Sequence, residues 1–171
     1  MFSPFFKQGK KVFGDTKEII RSGNWYGNDT IWRMILDLNK IVLYSNPDGS
    51  MKGNDVINRK KYIGIVDAII CGEKNGPKAP DPKKLGLILA GNNPLVIDAT
   101  CARLMGIDPL KLPMISHAFD VKKYKIFDYR YEDIKIDYEG SIYNILTIPS
   151  KLIKKFEPHF GWKNHIESST E

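Results

Sequence analysis

Apolar residues recur along this chain in two different periods. Ile31, Ile35, Leu38, Ile41 and Val42 fall three and four positions apart, which predicts a helix through TIWRMILDLNKIVLYS. Asn28 or Asp29 precedes it, and either side-chain oxygen can accept from the free N–H groups of a first turn. Arg33 and Asp37 lie four apart, on one helix face, where they can pair. From Tyr62 the period becomes two: Ile63, Ile65, Asp67 and Ile69 alternate with Tyr62, Gly64, Val66, Ala68 and Ile70. Both sets are largely apolar, which predicts a strand inside a sheet covered on both faces. LGLILAG predicts a second buried strand. Asn92 or Asn93, followed by Pro94, predicts the cap and first turn of another helix.

The segments between and around these elements are polar or mixed. GEKNGPKAPDPKK, with two glycines and three prolines, reads as a stiff loop between the two strands. The second helix ends at Gly106, and Asp108-Pro109 opens a short third one. Alternation in IKIDYEG and SIYNILTI suggests two further strands. Residues 1–21 read as an N-terminal helical arm carrying Phe5, Phe6, Val12 and Phe13, and residues 150–171 as a surface tail. The resulting expectation is an α/β fold: a single domain over 1–171, with a small mixed sheet flanked by helices.

Composition narrows the function classes. A chain of 171 residues with 42% hydrophobic and 27% charged residues can bury one ordinary core. No apolar run reaches the length of a transmembrane helix, and the N-terminus lacks a signal-peptide pattern, so a cytoplasmic location is expected. The net charge of +6 is scattered in small lysine clusters, which argues against a nucleic-acid interface. Cys71 and Cys101 lie thirty positions apart and read as two buried, reduced thiols. No iron–sulfur or zinc motif is present.

Candidate chemistry gathers where the central elements change. Asp67 interrupts an apolar strand, where an unpartnered carboxylate is costly. Glu73 follows in the stiff loop, and Asp98 sits about one turn into the second helix, where it also complements the helix dipole. If the three meet, they are candidate catalytic groups or oxygen ligands for a divalent cation such as Mg²⁺, Ca²⁺ or Mn²⁺. Asn75 and Lys78 would hold an anionic group. Trp25, Asn28 and Asp29 come from the loop GNWYGND, where Trp25 either plugs the core or reaches a ligand. His117, in an apolar stretch, reads as a core or surface histidine.

YIGIVDAIICGEKNGP, followed by LGLILAGNNPLVIDATCARLMGIDPLKLP, closely resembles the pattern of the bacterial and archaeal "domain of unknown function 362" family. GNWYGNDTIWRMILDLNKI resembles a subgroup of it. The resemblance covers residues 22–118 and the C-terminal half of the family domain, with Ala68 where the family usually has Gly. Some members carry ferredoxin-type cysteine motifs; this sequence has none. The family brings no settled activity with it; the strand-end acidic residues and the GEKNGP loop suggest a ligand-, metal- or cofactor-binding half-site of a cytoplasmic enzyme. The alternative is a non-catalytic subunit or interaction domain, completed as a homo-oligomer or by a partner chain supplying the missing N-terminal half.

Overall fold

The computed structural model describes residues 23–77 and 79–168. The N-terminal arm expected over 1–21, and Lys78, therefore lie outside the described residues. Helix α1 (Ile31–Tyr44) forms where the three-four periodicity placed it. Asn28 Oδ1 accepts from the backbone N–H of Ile31 at 2.9 Å and of Thr30 at 3.2 Å, so Asn28 serves the first turn. Arg33 does not pair with Asp37. It reaches back to Asp29 at 3.1 Å, and Asp37 pairs with Lys40 at 3.0 Å. Long helical side chains lean toward the N-terminus, which favours the partner one turn earlier.

The buried face of α1 is also rotated from the expected one. Leu36, Leu43 and Tyr44 are buried, whereas Leu38, Ile41 and Val42 are half exposed. The covering element, α3 (Pro113–Phe119), meets the Leu36 side through Met114, Ile115 and Ala118. His117, also on α3, is a surface residue stacked on Trp32 of α1 with 4.3 Å between ring centroids.

The largest departure concerns the central strands. β1 (Gly64–Asn75) and β2 (Ala79–Gly91) pair antiparallel along their whole length, from Gly64↔Gly91 to Asn75↔Ala79. The expected loop over 72–84 is thus mostly strand, and the chain reverses around the cis Gly76–Pro77 bond. Pro80 and Pro82 are tolerated because β2 has a free edge that needs no N–H donor. A second ribbon, β3 (Lys135–Tyr138) with β4 (Ser141–Asn144), is also antiparallel. The α/β class stands, but the sheet expected to be mixed is two separate two-stranded ribbons. A tight reversal allows only antiparallel pairing, since a parallel neighbour needs a long crossover.

Coverage of the first ribbon is one-sided, contrary to the pattern's suggestion. Val66, Ala68, Leu87 and Leu89 turn inward over α2 (Pro94–Leu104), while Ile63, Ile65, Ile70 and Ile88 turn outward and stay exposed. Gly64 and Gly91 let α2 approach closely: a Cβ at either position would come within 3.0 Å of Ile97.

One polar residue joins several of these parts. Asn93 is 5% exposed, and its Oδ1 accepts from Leu95 N at 3.0 Å and Val96 N at 3.3 Å, capping α2. Its Nδ2 donates to Ile126 O at 2.6 Å, which brings the 120–130 segment onto the start of the helix. The core cluster around this point includes Leu43, Tyr44, Ala99, Leu104, Ile115, Ile134 and Ile145. Tyr44 Oη donates to Lys125 O at 2.7 Å, a second tie to the same segment. The C-terminal segment is more than a surface tail, because Phe156 and Ile166 are buried beside the end of α2. Among the described residues no helix is long and apolar enough to cross a membrane.

Removing both functions of Asn93 should be costly. Asn93→Ala is expected to lower stability by about 2–3 kcal/mol, from a lost cap and an orphaned buried carbonyl. Asn93→Ser, which keeps a cap acceptor but not the bond to Ile126, should fall between. Urea denaturation of the two variants beside the parent measures both.

Candidate functional site

Glu73 lies near the tip of the first ribbon, on the side facing the C-terminal segment. Its Oε2 accepts from Lys83 Nζ at 2.9 Å and from the backbone N–H of Glu157 at 2.9 Å. Lys83 also donates to Lys155 O at 2.6 Å, and Lys74 N donates to Glu157 O at 2.9 Å. Lys74 Nζ lies 2.6 Å from Asp81. The Lys83 ammonium, and then the Glu157 amide, hold the Glu73 carboxyl below its ordinary pKa. These contacts form a latch between ribbon and C-terminal segment.

The latch borders a cavity of about 370 Å³ lined by Asn24, Lys74, Phe156, Glu157, His159 and Trp162. Its charges are already matched, since Glu157 pairs with Lys163 at 2.9 Å. His159 Nδ1 accepts from Gly161 N at 3.2 Å, and burial pushes the imidazole pKa down, favouring the neutral ring. The GNWYGND loop does reach this region, but through other residues than expected. Asn24 Oδ1 accepts from Trp162 Nε1 at 2.7 Å, and Tyr26 N donates to Gly161 O at 2.9 Å. Trp25 is 42% exposed, so it does not plug the core. Asn28 is committed to α1, and Asp29 to Trp32 and Arg33, with the Arg33 bonds holding its pKa down. Asn75 sits at the exposed ribbon tip, opposite Ala79.

The three acidic candidates do not converge. Asp67 is exposed on the outer ribbon face, and its Oδ1 accepts from Ile69 N at 3.0 Å. Glu73 lies six strand positions further on, roughly 20 Å at strand rise. Asp98 belongs to the helix packed under the inner face. Water reaches its side chain, yet the apolar cleft of Ile35, Leu95 and Met114 crowds the carboxyl and raises its pKa. Among the described residues no group of three His, Cys, Asp or Glu side chains could hold a metal ion. A strand that alternates about a bulge near Ala68–Ile70 distributes its acids to different faces, which linear proximity concealed.

Cys71 and Cys101 are free and half-buried. Burial, then the charges of Asp98 and Cys71, push the Cys101 thiol up to about 11. Burial, then Asp67, raises Cys71 as well. Neither is an activated thiolate. A second cavity, about 220 Å³ between β2 and β3, is floored by Val96, Ile97, Thr100 and Ile148. Its floor is mostly apolar, Lys135 and Asp137 stand in its wall, and its volume falls below the roughly 300–1,000 Å³ of small-molecule sites.

Lys83, Glu157 and His159 were not singled out from the sequence. Lys83 was legible in principle, since it lies diagonally across the ribbon from Glu73 once the register is known. Glu157 is 84 positions from Glu73, and nothing local announces the contact.

Two pH profiles follow, with opposite signs. A depressed Glu73 stabilises fully above its unfolded pKa of about 4.3 and loses that contribution as pH falls through the lower folded value. Glu73→Gln should therefore be less stable than the parent at pH 7, with the difference shrinking in acid. A raised Asp98 has its full stabilising effect below about 3.9 and loses it as pH rises through the folded value. Asp98→Asn should thus be the more stable protein at pH 7 and indistinguishable from the parent at pH 3. Thermal unfolding across that range checks both.

Comparison with known proteins identifies the family. The model of the family described as Domain of unknown function (DUF362) matches residues 7–103, more than half of the chain. The chain belongs to this family. The matched segment contains α1, the first ribbon and α2 as far as Arg103, and overlaps the 22–118 expected from motifs. No curated protein and no solved structure matches the chain.

Proposed function

We propose that this chain is a binding subunit that completes a larger assembly by seating a polypeptide on the outer face of the β1–β2 ribbon. The carrying observation is the open isoleucine surface, where Ile63, Ile65, Ile70 and Ile88 are 80%, 73%, 69% and 67% exposed. Large exposed apolar side chains gathered on one face mark a contact site, whereas single exposed apolar residues do not. A two-stranded ribbon is marginal alone, so a covering layer would add to its stability. The latch supports the same reading. By fixing the ribbon tip through Glu73, Lys83 and Lys155, it presents the outer face in one orientation before a partner arrives.

The half-site reading draws less support from the geometry. Its acids lie on different faces, and Glu73, which borders the cavity of about 370 Å³, is consumed by the latch.

Photo-reactive side chains placed at positions 65 and 88 of the full chain, activated in its own host, test the proposal. The expected result is one discrete cross-linked polypeptide from both positions and none from exposed Tyr129. Equal or absent capture at the three positions would remove the ribbon as a docking face.

A further inference from the structure

We infer that the polypeptide seated on this face is a second copy of the chain, packed ribbon against ribbon about a twofold axis. This rests on the binding-subunit reading above. The outward cross-strand pairs are Ile65↔Ala90, Asp67↔Ile88 and Ile70↔Lys84. The isoleucine surface therefore carries one acid and one base. They are three strand positions apart along β1, roughly 10 Å. Among the described residues neither Asp67 nor Lys84 has an ion-pair partner. Asp67 uses Oδ1 for the Ile69 amide and keeps its second carboxylate oxygen free.

Such a face is complementary to itself. In a twofold contact, if residue i meets residue j of the copy, then j meets i. An axis lying in the interface, midway between Asp67 and Lys84, sets each acid against the other chain's base. The same rotation keeps Ile70 and Ile88 close to the axis, each beside its counterpart in the copy. Edge-to-edge pairing, the competing route for an open ribbon, is opposed along the tip half of β2. There Pro80 and Pro82 remove two N–H donors. Exposed ion pairs contribute little attraction, but like charges brought face to face repel, so this pair fixes register rather than supplying affinity.

Charge exchange on the full chain tests the contact, read by sedimentation velocity at low salt with circular dichroism confirming each fold. The parent is expected as a dimer. Asp67→Lys sets Lys against Lys84 of the copy, and Lys84→Glu sets Glu against Asp67. Each should weaken the dimer by about tenfold or more. An equimolar mixture of the two variants should recover parental affinity as a heterodimer, because both crossed pairs are then opposite in sign. Should Asp67→Lys fail to fold, the double variant Asp67→Glu with Lys84→Glu must be monomeric under the same conditions. A monomeric parent, or a dimer indifferent to these exchanges, overturns the inference. Cross-links from positions 65 and 88 to a different polypeptide would overturn the second copy while leaving the binding-subunit reading in place. Absent cross-links would remove both.

Discussion

Pairing β1 with β2 from Gly64↔Gly91 to Asn75↔Ala79 commits the residues on either side of the bulge to one of two faces. Most of the site geometry descends from that register. It turns Val66, Ala68, Leu87 and Leu89 onto α2 and, by the same alternation, turns Ile65, Asp67 and Ile88 to solvent. It also brings Lys83 diagonally across from Glu73, so that a single carboxylate can serve both the ribbon and the C-terminal segment. A slip of one residue would exchange the two faces and dismantle the latch together with the contact to α2.

Stability and the proposed docking face are thereby placed on opposite sides of the same element. The inner side joins a core tied at Asn93 and Tyr44, both of which bond carbonyls of the 125–126 segment. The C-terminal segment closes over the end of α2 through Phe156 N to Met105 O and Asp108 N to Ile166 O. None of this covers the outer isoleucines. A layer on that side would add apolar burial at roughly 25 cal/mol per Å², the largest favourable contribution this ribbon has left to make.

The acidic residues illustrate why proximity in sequence misleads about chemistry. Asp67, Glu73 and Asp98 sit within a short stretch, yet they serve an amide at the bulge, a latch and a crowded helix flank. A shared site requires convergence of side chains. Strand rise and alternation carry these apart, so the region reads as architecture with one open face.

Local patterning by itself determined a good deal. The three-four periodicity fixed α1, Asn92 or Asn93 with Pro94 marked the start of α2, the alternating segments near 135 and 141 became β3 and β4, and the linked motifs identified the family. These features depend on backbone propensities and on contacts within a few residues, which the order of amino acids encodes directly. Three outcomes were decided only by tertiary structure: the pairing of 72–75 with 79–82, the exposure of Leu38 and Ile41 on α1, and the bond from Glu157 to Glu73. Periodicity states which residues share a face. What covers that face is settled by the elements that pack against it, and their approach depends on chain reversals and contacts spanning up to 84 positions.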